Sequence, residues 1–262
     1  MEYTMGYVAF IDVLGFSAFV SKEENGAKTA ELFSFVKNLC YLFNSSAKLN
    51  VEISFFSDSI VISAKELESL VMPILLAESY LQDKLGLLFR GGIAYGKYYH
   101  KDGVTFGPAV IEAYKLENAA IYSRILIHKE IEIPEDINVH YFKDIDGYVC
   151  INPMAAILNE IEVYGPDGIQ YPEGDIVEAI KNKVVVHREK ILAGIQRYIG
   201  SSVVEKYLWR IRTFNYTCRL FAEIPCGTII YEAIGYAIDE GFKEMFASKI
   251  IKEDEIITMK QG

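Results

Sequence analysis

The sequence predicts a mixed α/β domain followed by a helical extension. Short β-branched and aromatic runs, which are typical of strands, alternate with segments of helical period over residues 1–151. The composition then changes, because residues 152–174 are rich in proline and glycine and the segments after them carry the helical period. We therefore expect one α/β domain over residues 1–151 and a helical extension over residues 152–262.

The predicted elements of the first domain follow one another in a simple order. They are a strand (residues 7–13), a helix (27–43), a hairpin (51–56 and 60–63), a helix (67–85), a strand (87–99), a helix (108–118), a strand (121–127) and a hairpin (136–151). Gly91, Gly92 and Gly96 are expected to break the strand over residues 87–99. In the extension, Asp175 is expected to cap one helix, and another is expected to begin at Ser201.

Composition and charge exclude several classes of function. The 262 residues carry a net charge of −10, with a pI of about 5.0. Nucleic-acid binding and binding to an anionic membrane both favour a basic surface, so we expect neither. No apolar run reaches the ~20 residues of a membrane helix. The four cysteines form no CxxC pair, which predicts reduced thiols in a cytoplasmic protein.

Two aspartates lie at the ends of short apolar strands. Asp12 follows an apolar run, and Asp58 lies at the tip of the predicted hairpin. An ionised carboxylate is costly to bury unless it is paired or holds a metal ion. Two such positions predict a site for divalent cations, although a single strand aspartate is also a common turn or cap residue. The turn that follows Asp12 offers backbone N–H groups to phosphate oxygens, which points to a nucleoside triphosphate; its residues are Val13, Leu14, Gly15, Phe16 and Ser17.

Four segments, taken together, resemble the class III nucleotidyl cyclases. Residues 10–17 (FIDVLGFS) are similar to the first metal motif of that family, and residues 56–59 (FSDS) contain its second metal aspartate. Residues 89–96 (FRGGIAYG) resemble its R-x-G-I-x-x-G strand. Residues 106–117 (FGPAVIEAYKLE) resemble its W-G-x-x-V-N-x-A-x-R-L-E segment. The likeness covers roughly residues 5–130.

This resemblance implies a fold, a cofactor and an assembly. The fold would be α+β, a ferredoxin-like βαββαβ palm with the helical extension after it. Asp12 and Asp58, with the carbonyl of Ile11, would hold two divalent cations, Mg²⁺ or Mn²⁺. The enzyme would be a homodimer with its active sites at the interface. Metal ligands would come from one protomer, and base-reading and transition-state residues from the other.

Several positions depart from the family pattern. Ser54 stands where adenylyl cyclases have a base-reading lysine, and Val104 stands where they have its acidic partner. Ile111 replaces the ribose-orienting asparagine. Lys115 replaces the transition-state arginine, and it can still supply positive charge without the bidentate fork. The alternative is that Lys115 is a solvated helix lysine.

The departures favour a pyrimidine base. Residues 107–114 and 206–209 (KYLW) resemble the pyrimidine cyclases of bacterial Pycsar antiphage systems. That likeness implies conversion of UTP, or CTP, to cUMP or cCMP and pyrophosphate, with the cyclic product acting on a separate effector protein. Two alternatives remain: a degenerate cyclase domain that only binds nucleotide as a sensor, and a purine cyclase making cAMP or cGMP.

Overall fold

The computed structural model describes residues 2–46, 50–133, 140–144, 146–155 and 174–223. The chain divides into two compact units, residues 1–151 and 152–262. No helix in the described parts of the chain is long and apolar enough to cross a membrane.

In its described residues, the first unit has one eight-stranded sheet and four α-helices. Its strands are β1 (Thr4–Leu14), β2 (Val51–Phe56), β3 (Ser59–Ala64), β4 (Leu88–Lys101), β5 (Val104–Phe106), β6 (Ile125–Ile127), β7 (Tyr141–Lys143) and β8 (Val149–Ile151). Its helices are α1 (Phe16–Val20), α2 (Gly26–Asn44), α3 (Glu68–Ser79) and α4 (Pro108–Ala119). The strand order is β2-β3-β1-β4-β6-β8-β7, and β5 pairs with β4.

The expected ferredoxin-like βαββαβ arrangement is confirmed by the order of the first four strands. They alternate with helices as β1-α2-β2-β3-α3-β4 and lie in the sheet as β2-β3-β1-β4, with each neighbouring pair antiparallel. The unit is therefore an α+β palm. It is extended past β4 by β6, which is parallel to β4, and by the β7–β8 hairpin.

The two faces of the sheet differ in what covers them. On one face, α4 packs against β1 and β4 through a hydrophobic cluster of Val8, Ala94, Tyr98, Ala109 and Ala113. Asp12 lies on the same face, because Val8, Phe10 and Asp12 occupy every second position of β1 and such positions share one face of a sheet. The opposite face is a buried aliphatic core that includes Ala9, Ile11 and Val13 of β1 and Ile60 and Ile62 of β3.

The glycine pair in β4 does not break the strand, contrary to expectation. Residues 88–101 pair continuously with β1 through Gly91 and Gly92. A Cβ at Gly92 would lie 2.9 Å from the Glu117 amide nitrogen and would clash with Leu116 and the Ala113 carbonyl. Gly92 therefore allows α4 to lie close to the sheet. Close approach of another backbone is, besides a bulge or bend, a common reason for glycine inside a strand.

Other elements differ from expectation mainly at their ends. β6 begins only at Ile125, because residues 121–124 turn, with the Ser123 hydroxyl donating to the Phe89 carbonyl. Helix α3 ends at Ser79 and continues as one wider turn over Tyr80–Lys84 before Gly86. Residues 136–139 and 145 of the hairpin expected over residues 136–151 lie outside the described residues.

The second unit contains two described helices, α5 (Gly174–Arg197) and α6 (Val204–Glu223). Apolar side chains at helical spacing bury the facing sides: Val184, Ile191 and Ile195 on α5, and Leu208, Ile211 and Phe214 on α6. The helices approach closely where Gly194 faces the Tyr207 ring.

Candidate active site

Asp12 lies near the carboxyl end of β1, in the middle of the sheet. Its Cα pairs with that of Ser59 on β3 and with that of Arg90 on β4. Its side chain keeps 23% of its surface exposed. The carboxylate is therefore held on a rigid strand and still accessible, as a ligand to a cation or to substrate must be.

Asp58 lies at the tip of the β2–β3 hairpin, beside the carboxyl end of β1. Phe56 pairs with Ser59, so Ser57 and Asp58 form a two-residue loop. Ser57 has a φ of 55°, which suits a tight hairpin turn. The Asp58 carbonyl accepts a hydrogen bond from the Val13 amide at 2.7 Å. This bond fixes the hairpin tip beside the end of β1.

Arg90 and Glu117 complete a charged cluster around Asp12. The Arg90 Nε lies 3.4 Å from Asp12 Oδ2 and 2.8 Å from Glu117 Oε1. Glu117 is in the last turn of α4 and is only 3% exposed. Burial raises the pKa of the Glu117 carboxyl, the nearby Arg90 lowers it, and the charges of Asp12 and Asp58 raise it further. All three carboxylates therefore interact electrostatically.

The turn expected to bind phosphate is shorter than the sequence indicated. Val13 and Leu14 belong to β1, and the Val13 amide is already bonded to Asp58, so it is not free for phosphate. Gly15 has a φ of 79°, a left-handed conformation that favours glycine, and α1 begins at Phe16. Of the five residues expected to bind phosphate, Phe16 and Ser17 are the two that lie in the first turn of α1.

Ser54 is held by a histidine that the sequence did not bring to notice. Its hydroxyl lies 2.6 Å from His100 Nε2, and His100 Nδ1 lies 2.9 Å from the Ser63 hydroxyl. Burial lowers the pKa of His100 from 6.5 to about 4, so the ring is neutral at physiological pH. Ser54 itself is only partly buried and remains accessible to a ligand.

Val104 and Lys115 lie on the surface. Val104 is 51% exposed on β5, opposite Lys101 at the end of β4. The Lys115 ammonium pairs with Glu112 at 2.7 Å on the exposed side of α4, whereas Glu117 is on the buried side of the same helix. A single chain does not bring Lys115 to Asp12.

The donor set at the end of β1 fits divalent cations. Among the described residues, no three His, Cys, Asp or Glu side chains form a ready-made metal centre. Carboxylate and carbonyl oxygens, which Asp12, Asp58 and Ile11 supply, are nevertheless the ligands that Mg²⁺ and Mn²⁺ prefer. Arg90 faces the carboxylates of Asp12 and Glu117, and the charge of Asp58 also acts on Glu117, so negative charge at this end of the sheet favours cations.

Arg90, His100 and Glu117 are the residues that sequence reasoning missed as part of the site. Arg90 carried a usable signal, because it is a charged residue in an apolar strand, as Asp12 is. Glu117 follows Ala109 and Ala113 at four-residue spacing, which places it on the buried side of α4. His100 had no comparable signal.

The chain resembles known proteins among solved structures. No family model and no curated protein matches the chain. An adenylate/guanylate cyclase/hydrolase from Silicibacter pomeroyi is 16% identical over 57% of this chain and 95% of that chain, with a TM-score of 0.37. A bacterial light-regulated adenylyl cyclase is 18% identical over 70% of this chain, with a TM-score of 0.38, and the match spans 59% of that enzyme. The fold assignment rests on the strand order described above.

Proposed function

We propose that the protein is a nucleotidyl cyclase that converts a pyrimidine ribonucleoside triphosphate, UTP or CTP, to its 3′,5′-cyclic nucleotide and pyrophosphate. The observation that carries this proposal is that Asp12 and Asp58 lie at the same end of the central strands of a ferredoxin-like sheet. The hydrogen bond from the Val13 amide to the Asp58 carbonyl holds the hairpin tip there. Two accessible carboxylates on rigid backbone are what cation-assisted phosphoryl chemistry requires.

The reaction balances without any further reactant. The 3′-oxygen forms a bond to the α-phosphorus, the bond from that phosphorus to the β-bridging oxygen breaks, and pyrophosphate leaves with the electron pair. The proton of the 3′-hydroxyl goes to solvent. Asp12, Asp58 and the Ile11 carbonyl would hold two divalent cations, which when bound make the hydroxyl more acidic and balance charge on the leaving group. The amides of Phe16 and Ser17 would donate to phosphate oxygens.

The proposed enzyme is a homodimer with shared active sites. The outer side of α4 exposes Ile111 and Tyr114 beside Lys115. Large apolar side chains exposed together suit a protein interface. In such a dimer, Lys115 would leave Glu112 and place its charge on the phosphates held by the partner subunit. This explains why Lys115 does not meet Asp12 within one chain.

The base-reading positions favour a pyrimidine. Ser54, held by His100, offers a hydroxyl, and Val104 offers an apolar surface. Neither supplies the charged pair that reads a purine in the family this chain resembles. A site lacking those partners leaves purine polar groups unpaired, which costs affinity strongly.

The decisive experiment is product identification. The protein is incubated with Mn²⁺ and each of the four ribonucleoside triphosphates, and products are identified by mass. We expect cUMP or cCMP, with kcat/KM for the best pyrimidine at least ~100-fold above ATP and GTP, the scale of one or two lost hydrogen bonds. Equal production of cAMP or cGMP would leave a cyclase without the pyrimidine assignment.

The cation ligands are tested by Asp12→Asn and Asp58→Asn. Each change removes a ligand charge and keeps the shape of the side chain, so we expect loss of cyclisation in a chain that still folds, as checked by thermal unfolding. Asp83→Asn is a matched control, because it makes the same substitution outside the proposed cation site. Asp83 lies in the wider turn after α3, where it accepts a hydrogen bond from Ser79. Full activity in either site variant would refute the cation site.

The shared site is tested by mixing two inactive chains. A mixture of Asp12→Ala and Lys115→Ala chains should regain part of the activity, because each heterodimer has one intact composite site. If heterodimers form and the mixture stays as inactive as its parents, the trans arrangement or the role of Lys115 is wrong.

A nucleotide-binding sensor is the second candidate function. It is favoured by the ion pair that holds Lys115 to Glu112 and by Ile111 in place of the ribose-orienting asparagine. A sensor would bind a triphosphate without converting it. Binding measured by calorimetry, together with absence of product under the conditions above, would select this candidate.

We further propose that the cyclic nucleotide is a second messenger in antiphage defence and acts on a separate effector protein. The support is the likeness of residues 107–114 and 206–209 to pyrimidine cyclases of such systems. Expression of the native locus should protect bacteria from phage, and Asp12→Asn should abolish both the protection and the rise in cyclic pyrimidine nucleotide.

A further inference from the structure

We propose that Glu117 is a positioning residue for the cation site. It draws Arg90 away from Asp12, and Arg90 is an internal counter-charge for Asp12 when no cation is bound. This inference rests on the proposed function, since it concerns the cation site of the same active centre.

The geometry shows one guanidinium divided between two acids. Arg90 Nε lies closer to Glu117 Oε1, at 2.8 Å, than to Asp12 Oδ2, at 3.4 Å. Its N–H is nevertheless aligned for a hydrogen bond with Asp12. Among the described residues, Glu117 Oε1 accepts no hydrogen bond. A small rotation of the Arg90 side chain would therefore exchange one carboxylate for the other.

The difference in burial between Glu117 and Asp12 determines which carboxylate is stabilised more by the ion pair with Arg90. Glu117 is 3% exposed, so water cannot solvate its carboxylate well, and its buried Oε1 accepts no hydrogen bond among the described residues, so its charge depends on the ion pair with Arg90. Asp12 is 23% exposed, so water or a cation can replace Arg90 there. When a cation binds Asp12, Arg90 can turn fully to Glu117. Without the Glu117 charge, Arg90 would stay on Asp12 and compete with the cation.

The position of Glu117 is set by the close contact between α4 and β4. Gly92 is two residues from Arg90 on the same face of β4, and its missing side chain lets the last turns of α4 lie against the strand. Ala109 and Ala113, buried on the same side of the helix, extend that contact. Glu117 is thereby held beside Arg90 by backbone packing and not by a flexible loop.

The test measures Mn²⁺ binding by the intact chain without nucleotide, using electron paramagnetic resonance of free Mn²⁺. Glu117→Gln should weaken Mn²⁺ binding by roughly tenfold to a hundredfold, the usual effect of losing a residue that orients a metal ligand. Arg90→Gln should tighten binding, because it removes the competitor. In the Arg90→Gln background, Glu117→Gln should have little further effect.

This double-mutant cycle separates positioning from direct ligation. If Glu117→Gln weakens binding equally in both backgrounds, Glu117 acts on the cation itself and the proposal is wrong. If Glu117→Gln leaves the affinity of the otherwise unchanged chain as it was, the proposal is also wrong. Glu112→Gln removes an exposed carboxylate from the same helix and should not change Mn²⁺ affinity. An equal loss there would show a general charge effect.

Two further readouts keep the outcome clear. If Glu117→Gln does not fold, Arg90→Gln alone decides, since unchanged or weaker Mn²⁺ binding in that variant overturns the counter-charge role. Failure of the proposed function is seen separately, as wild-type protein that binds Mn²⁺ and forms no cyclic product. Wild-type protein that binds no Mn²⁺ overturns the positioning role.

Discussion

His100 should make the stability of the protein depend on pH. Its ring is 7% exposed, and both nitrogens are bonded, to Ser54 and to Ser63. Burial lowers the pKa of His100 from 6.5 to about 4 in the folded protein. Between these values the unfolded chain binds a proton that the folded chain does not. The stability due to neutral His100 is therefore complete above pH 6.5 and is lost as the pH falls toward 4.

The size of this effect follows from the shift. One pKa unit corresponds to about 1.4 kcal/mol, so the free energy of unfolding should fall by about 1.4 kcal/mol on going from neutral pH to pH 5.5. By pH 4 the loss from His100 alone should approach ~3 kcal/mol. Carboxylates contribute their own pH dependence, so the quantity to measure is the difference between the wild type and a variant without the histidine.

The assay is urea unfolding from pH 4.5 to 7.5 for the wild type and for His100→Gln. The variant loses hydrogen bonds at every pH, but it should lose less stability on acidification than the wild type does. His128→Gln is the control for the substitution itself, because His128 is partly exposed and lies outside the contacts of His100 with Ser54 and Ser63. An identical acid dependence in wild type and His100→Gln would refute the neutral buried histidine.

Two further predictions concern packing and charge in the first unit. Gly92→Ala should cost about 1–3 kcal/mol because a Cβ there meets α4, whereas Gly26→Ala, with open space around it, should be tolerated; thermal unfolding checks both. Arg124→Gln should be strongly destabilising, by roughly 3 kcal/mol, because it leaves buried Asp144 without its ion pair. Asp146→Asn should cost less, because that carboxylate is partly exposed, and an equal cost in the two variants would contradict this explanation.

Local chemistry predicted much of the palm. The hairpin with Ser57 and Asp58 at its tip is confirmed, because alternating apolar residues on both sides fix the register of a hairpin. The helices beginning near Gly26 and Pro108 were correct because their apolar spacing and start signals agree. These features depend on neighbours in the sequence, so a single chain carries enough information to locate them.

Features that depend on strand order were harder to predict. Arg90 lies beside Asp12 because β4 pairs with β1, and 78 residues separate the two. The sequence wrongly predicts a strand break at Gly92, because the neighbour of that glycine, α4, is known only once the helix is placed on the sheet. His100 reaches Ser54 and Ser63 from a strand not adjacent to β2 or β3.

The residues missed at the site are those that stabilise or orient the ones that were found. Asp12 and Ser54 can be recognised by type and position, because a cation ligand or a base contact has its own chemistry. Arg90 and Glu117 act on Asp12, and His100 acts on Ser54, so their roles exist only through contacts across the sheet. A charged residue within an apolar strand is the signal that Asp12 and Arg90 share. Two oppositely charged residues in neighbouring apolar strands can pair with each other, as Asp12 and Arg90 do, so such a pair predicts an ion pair as well as a ligand site.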